Sequence, residues 1–170
     1  MTDVEVDTPR MDEADAITDA WVGLADGQRR FGSFLLAEEN RAAVYETVSR
    51  GIVTGGVLVA RDPQVDDDAS TDVVGFVMFS PETGVYEQAE KKGVVENLYV
   101  EPGRRGEGIG SALLSAAEDA LRADGAAVVI LDVMAENEDA RRFYEAHGFR
   151  PHRVTMAKAD ETDKHTRRHD

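Results

Sequence analysis

One stretch constrains this chain more than any other: Val100-Glu-Pro-Gly-Arg-Arg-Gly-Glu-Gly-Ile-Gly-Ser111. A strand-like run, 93–100 (GVVENLYV), leads into it, and an amphipathic run, 109–123, leaves it. Glycines at 106, 108 and 110 let the backbone approach a ligand closely and turn its N–H groups inward. A loop that opens directly into a helix also aims a positive dipole end and free amides at one point. Arg104 and Arg105 add local positive charge. The combination suits a di- or triphosphate; the alternative is an ordinary tight connection with an N-cap. A P-loop requires Lys-Ser/Thr after the last glycine, where Ser111-Ala112 stands instead. The dinucleotide fingerprint requires a third glycine at the place of Ser111 and an acidic residue about 20 further on, for which only Asp132 offers itself.

Periodicity sets this loop within a mixed sheet. Residues 4–7 (VEVD) alternate as a first strand that ends at Pro9. Ala16, Ile17, Ala20, Trp21 and Leu24 predict a helix over 12–24. Ala42, Ala43, Tyr45 and Val48 predict a second over 37–49, with a stop near Gly51. The segment ADGQRRFGSF between them reads as a loop. Strands are expected at 56–61 (GVLVAR) and 73–80 (VVGFVMFS). The acidic loop joining them holds Asp66, Asp67, Asp68 and Asp72 but lacks the glycine and distal glutamate of a calcium loop. Asp124-Gly125 ends the helix after the glycine loop. Residues 126–134 (AAVVILDVM) are apolar enough for a strand covered on both faces. A helix over 137–147 closes at Gly148, and 149–158 (FRPHRVTMAK) returns as a last strand. Antiparallel strands followed by strand–helix–strand–helix–strand define an α/β (α+β) fold with a mixed, mostly antiparallel central sheet. With 170 residues, no internal repeat and no linker, one domain over 1–158 and a polar tail over 159–170 are expected.

Composition excludes several classes of function. The chain carries 34 Asp+Glu against 19 Lys+Arg, a formal net charge of −15, which repels nucleic-acid phosphates on average. Absence of cysteine removes disulfides, zinc–thiolate sites and a cysteinyl acyl-enzyme. No apolar run reaches the roughly 20 residues that span a bilayer, and MTDVEVDTPR has neither the basic start nor the apolar stretch of a secretory signal. A cytoplasmic location without a membrane partner is therefore expected. The four histidines, including His165 and His169 in the tail, do not compose a metal site, and no metal is expected. The acidity has two readings: a surface adapted to high salt, as in a halophile, or an attractive field for a cationic substrate. Only Lys91, Lys92, Lys158 and Lys164 are lysines, which favours salt adaptation.

The pattern Arg105-x-x-Gly108-x-Gly110 after an LYV strand end resembles the acetyl-CoA-binding motif of the GNAT acetyltransferase superfamily. Downstream, ENEDARRFYEAHGF (136–149) resembles the second motif of that family, Asn…Ala…Phe-Tyr…Gly-Phe. The resemblance covers residues 93–150, while the first strand and two helices match in order only. It implies a sheet splayed in the middle and flanked by about four helices, with acetyl-CoA as co-substrate. Leu98 and Val100 would offer backbone groups to the pantetheine arm where their strand parts from the next. The amides of Arg105, Gly106, Glu107, Gly108, Ile109, Gly110 and Ser111 would hold the pyrophosphate. Asn137 matches a position that hydrogen-bonds the cofactor arm, although asparagine before Glu-Asp-Ala is also a good helix N-cap. Phe143 falls in the same motif and is counted with the cofactor-binding residues. Tyr144 matches the tyrosine that protonates the CoA thiolate; it also belongs to a helical stripe with Ala140, Phe143 and His147.

Acyl transfer to an amine requires a deprotonated nucleophile, a polarised carbonyl and an acid for the departing thiolate. Period 2 puts Glu96 on the strand face of Leu98 and Val100, from which its carboxylate can point to the thioester site. Some polyamine-type members of the family place a glutamate there, working through water; an exposed strand-face glutamate is the other reading. Without cysteine, direct transfer in a ternary complex is the simplest mechanism. The expected acceptor is a primary amine of a polyamine- or aminoglycoside-like small molecule, with a protein N-terminus or lysine as the enzymatic alternative. A non-catalytic acyl-CoA sensor is the alternative of another class, disfavoured by the presence of both Tyr144 and Glu96. In the family the first two helices, their connecting loop and the C-terminal strands build the acceptor pocket, here 21–49 and 150–156. Many members end in a two-strand hairpin where this chain has room for one strand. Its acceptor site is then walled by this chain alone or by a second copy in a homodimer.

Overall fold

The computed structural model describes residues 4–64 and 72–160. They divide into two compact units between Glu138 and Asp139. The first unit is built on a five-stranded sheet whose spatial order follows the chain. Its strands are β1 (Glu5–Asp7), β2 (Val57–Arg61), β3 (Val73–Pro81), β4 (Lys92–Val100) and β5 (Val128–Leu131). Pairing is antiparallel from β1 through β4 and parallel between β4 and β5. Helices α1 (Ala14–Gln28) and α2 (Arg41–Thr54) lie between β1 and β2 in the chain. Helix α3 (Ile109–Ala123) makes the crossover that the parallel pair requires. The mixed, mostly antiparallel sheet expected from the sequence is thus observed.

Each helix buries one stripe. Ile17 and Trp21 of α1 and Val44 and Val48 of α2, each pair one turn apart, pack with Val57, Val59, Phe76 and Met78 of the sheet. Ile109, Leu113, Ala117 and Leu121 of α3 cover the opposite face. A Cβ at Gly93 would stand 2.8 Å from Leu121 Cδ2, so glycine there lets α3 seat against β4. Phe76, Leu113 and Leu121 are essentially fully buried, each contributing roughly 1.5–3 kcal/mol. At the β1 edge the Arg61 guanidinium takes both Glu13 oxygens, at 2.5 and 3.0 Å, and Asp72 at 3.1 Å. Burial alone would raise the Glu13 carboxyl, but hydrogen bonds from Arg61 and from the Arg10 amide outweigh it and hold the group below its ordinary range.

Several boundaries differ from the sequence reading. α1 runs past residue 24 because Ala25 is buried and the turn comes only at Gly32, φ +94°. α2 starts and stops later than 37–49, with a short 3-10 turn over Glu38–Asn40 and a left-handed Gly55 as its end. Gly51 is no stop: a Cβ there would lie 2.6 Å from Val57 Cγ2, so it admits close approach of α2 to β2. β5 is four residues rather than nine, and half-buried to exposed rather than covered on both faces, as an edge strand can be. Helix α4 (Glu138–Ala146) begins at the boundary and belongs almost wholly to the second unit. The strand expected at 149–158 is absent, since residues 149–160 join no ladder. Pro151 lacks an N–H, and the alternating apolar pair Val154 and Met156 stays 78% and 87% exposed. No helix among the described residues is long and apolar enough to cross a membrane.

Candidate active site

Register along β3 and β4 runs Gly75↔Val100, Phe76↔Tyr99, Val77↔Leu98 and Met78↔Asn97, then skips to Phe79↔Val95. Glu96 is the inserted residue of a β-bulge. Directly opposed residues share a sheet face. Leu98 and Val100 therefore lie with Val77 and Gly75 on the α3 side, where a Cβ at Gly75 would come within 3.1 Å of Leu113. Asn97 and Tyr99 lie with Met78 and Phe76 on the α1–α2 side. Glu96 joins this second side: its Oε1 accepts a 2.6 Å hydrogen bond from Ser80 Oγ, and it lines one groove together with Asn97. The expectation that Glu96 shares a face with Leu98 and Val100 is corrected, because period 2 holds only where no residue is inserted.

The β4–β5 ladder runs from Lys92↔Val128 to Val95↔Leu131 and stops one residue before the bulge. From Glu96 to Val100, β4 continues without a β5 partner, and the sheet opens as expected. β4 then delivers the chain through a 3-10 turn, Pro102–Arg104, into the glycine loop. Gly106 and Gly108 are left-handed, φ +82° and +83°, a conformation costly to other residues. A Cβ at either would meet no atom within 4 Å, so the space around them is open. No backbone carbonyl among the described residues accepts from the N–H groups of Gly106 through Gly110. These donors converge at the start of α3, an arrangement that fits a phosphate-sized anion. Ile109 is 1% exposed and can add only its backbone.

The two arginines part company. Arg104 Nη1 binds Asp62 at 2.7 Å and its Nε binds Glu107 at 3.1 Å, so its charge is compensated and it ties the loop to the end of β2. Those two carboxylates push the guanidinium further toward its charged form. Arg105 Nε donates to Val100 O at 3.1 Å, and no carboxylate pairs with it among the described residues. The positive charge read from both residues is therefore carried outward by Arg105 alone.

On the α1–α2 side, the bulge borders a groove of about 230 Å³. Trp21 of α1 and Met78 of β3 form its apolar base. Asn40, Ala43, Val44 and Thr47 present one stripe of α2 and its leading turn, and Leu35 comes from the segment between the helices. Glu96 and Asn97 supply its polar end.

In the second unit, Tyr144 is half-buried and meets the rings of Phe143 and Phe149 edge-on at 5.2 and 5.8 Å. Gly148, φ +91°, ends α4. Its N–H donates to Glu145 O and that of Phe149 to Tyr144 O, both at 3.0 Å. This double bond pattern is normally completed by an apolar contact across the helix end, here Phe149 on Tyr144. The Gly148-Phe149 pair thus stops the helix and fixes the tyrosine ring. Burial pushes the phenol above its ordinary value of 10.0; like any phenol it is protonated at neutral pH, and burial makes it a weaker acid than it would be in water. Asn137, 9% exposed, immediately precedes α4 in the chain, and its N–H donates to Met134 O at 3.0 Å. Among the described residues no group of three or more His, Asp and Glu could hold a metal ion. Asp66, Asp67, Asp68, His165 and His169 lie outside the described residues.

Residues 27–149 match the sequence model of the acetyltransferase (GNAT) family. The chain belongs to that family. Over 59 residues, 35% of the chain, it is 48% identical to a mycothiol acetyltransferase of Beutenbergia cavernae. That match spans 20% of the curated relative's own length. A GCN5-related N-acetyltransferase from Ralstonia eutropha superposes with TM-score 0.70 at 19% identity, over 92% of this chain and 98% of the other. A transcriptional regulator from Bacillus halodurans gives TM-score 0.68 at 19% identity, over 92% and 99%. These likenesses show that the fold is shared.

Within this GNAT fold, sequence motifs pointed to the glycine loop and to α4, and the family resemblance placed the acceptor pocket partly in 21–49, which holds the groove's α1 and α2 residues but not Met78 or Asn97. Trp21, Met78 and Asn97 reach the groove from three separate elements and carry no common spacing, and Ser80, two residues beyond Met78 in β3, touches it through Glu96. The Asp62–Arg104 pair was equally hidden, joining residues 42 positions apart. One signal was available for Asn40, whose spacing to Ala43, Val44 and Thr47 is that of a single helix stripe.

Proposed function

We propose that this GNAT protein is a cytoplasmic enzyme that transfers the acetyl group of acetyl-CoA to a primary amine of a small molecule, directly within a ternary complex. The observation that carries this reading is the bulge at Glu96. Beyond it, the half of β4 that lacks a β5 partner has one face toward α3 and the other toward a groove, with the glycine loop at the strand's end. Bound acetyl-CoA would supply an activated acyl carbon. The amides from Arg105 through Ser111 would hold its pyrophosphate, with Arg105 adding charge. Leu98, Val100, Asn137 and Phe143 would hold the arm. Glu96, oriented by Ser80, would take the proton from the amine through water. In the transfer the amine nitrogen would bond to the acetyl carbon as the carbon–sulfur bond breaks, Tyr144 would donate a proton to the departing thiolate, and the excess proton of the acylated nitrogen would return to the Tyr144 phenolate. A phenol, protonated at neutral pH, can supply that proton as negative charge develops on the sulfur.

Thiol release with a panel of amines tests the assignment. Tyr144→Phe should lower turnover by about a hundredfold, within the range for general acid catalysis, while leaving acetyl-CoA affinity nearly intact. Retained turnover would remove the acid role. Glu96→Gln should alter the acidic limb of the kcat/KM profile, where the amine must lose its proton, and an unchanged limb would count against the base.

A further inference from the structure

The groove beside Glu96 narrows the kind of amine that can be accepted. We propose that it takes a primary amine carried on a compact apolar or aromatic body, with the ammonium at the Glu96 end, in preference to a polyamine or an aminoglycoside. The proposal rests on the acetyl-transfer reading above. Its first ground is chemistry of the lining. In a chain of net charge −15, Glu96 is the one carboxylate among the described residues that borders the groove. A second or third ammonium would lie against apolar side chains without a partner, which is unfavourable.

Two other polar side chains line the groove from α2 and the turn before it, and each already spends a donor on the backbone. Asn40 Nδ2 donates to Leu36 O at 2.8 Å, and Thr47 Oγ1 donates to Ala43 O at 3.0 Å. The hydroxyls of a sugar would therefore find few partners beyond Glu96 and Asn97. Size points the same way, since about 230 Å³ falls below the roughly 300–1,000 Å³ of sites that enclose drug-sized ligands. Apolar surface also continues out of the groove. Leu35 and its neighbours Phe34 and Leu36 are 49%, 77% and 45% exposed, a run of large side chains at the rim against which an apolar body can lie. Trp21 at the base offers an aromatic surface to the same body.

The test compares 2-phenylethylamine, spermidine, kanamycin and a lysine peptide as acceptors in a thiol-release assay. Calorimetric titration of each amine into the full chain runs in parallel. The expected result is a kcat/KM for 2-phenylethylamine at least tenfold above the other three. Leu35→Glu, a change at a part-exposed loop position, should lower that value about tenfold and narrow its margin over spermidine, with acetyl-CoA affinity unchanged. Preference for spermidine, kanamycin or the peptide would overturn the apolar-body proposal and leave acetyl transfer standing. Binding of 2-phenylethylamine but not spermidine, with no thiol released from any amine, would support the groove's chemistry and overturn the transfer reading. Equal or absent binding of all four would overturn the proposal.

Discussion

Single side chains in this protein derive their roles from neighbours distant in sequence. Glu13 illustrates the energetic side. Its carboxylate is 6% exposed and is held by Arg61, itself 11% exposed, and removing one partner of such a buried pair costs roughly 3 kcal/mol. Glu13→Gln should therefore lower stability by about that amount in chemical denaturation. A group whose carboxyl lies lower in the folded state than its ordinary 4.5 stabilises the fold above that value. Its contribution fades as pH falls through the lowered folded-state value. The wild-type chain should thus lose stability faster than Glu13→Gln on acidification below about pH 4.5, and parallel curves would refute the linkage. Ser80 illustrates the functional side. Ser80→Ala should reduce turnover several-fold, by freeing the Glu96 carboxylate, without changing acetyl-CoA affinity; a change in affinity alone would place Ser80 elsewhere in the chemistry.

At the level of elements, the glycine loop was legible because its requirement is local. Left-handed backbone at Gly106 and Gly108 is written in residue type, so the motif announces the geometry. Gly108→Ala should cost about 1–2 kcal/mol of stability and raise the KM for acetyl-CoA, which melting and steady-state kinetics can both follow. The stop of α4 was legible for the same reason. The stop of α2 was not, because Gly51 serves close packing against Val57, a tertiary demand that looks identical to a helix end in one dimension. The faces of β4 were misjudged because a bulge has no residue code of its own: Val-Glu-Asn-Leu reads as simple alternation until β3 is laid beside it. The strand expected at 149–158 failed for a related reason. Alternation over Val154 and Met156 records a tendency, whereas a ladder needs a partner edge. The Arg104 anchor was likewise invisible, since Asp62 becomes its partner only when β3 brings the ends of β2 and β4 to the same edge of the sheet.

For the molecule as a whole, charge is the dominant parameter. A net charge of −15 over 170 residues imposes self-repulsion, which added salt screens over a Debye length that falls from about 30 Å at 0.01 M to about 3 Å at 1 M. The Glu13–Arg61 pair is mostly sheltered from solvent and should be screened far less. The melting temperature should therefore rise as KCl is increased from low to molar concentration. A flat or falling series would remove salt adaptation as the account of the acidity. The amine preference is independent of this bulk property, because among the described residues Glu96 is the carboxylate that borders the groove.

The inserted residue of β4 also acts as a change of phase. Lys92 to Val95 count in one frame, Asn97 to Val100 in the other, and Glu96 is where the count slips. Substitutions at position 96 keep both frames, but deleting one residue there would merge them. Val95 opposite Phe79 and Asn97 opposite Met78 would then be consecutive pairs, so Leu98 and Val100 would keep their side and the strand would lose only the carboxylate that borders the groove.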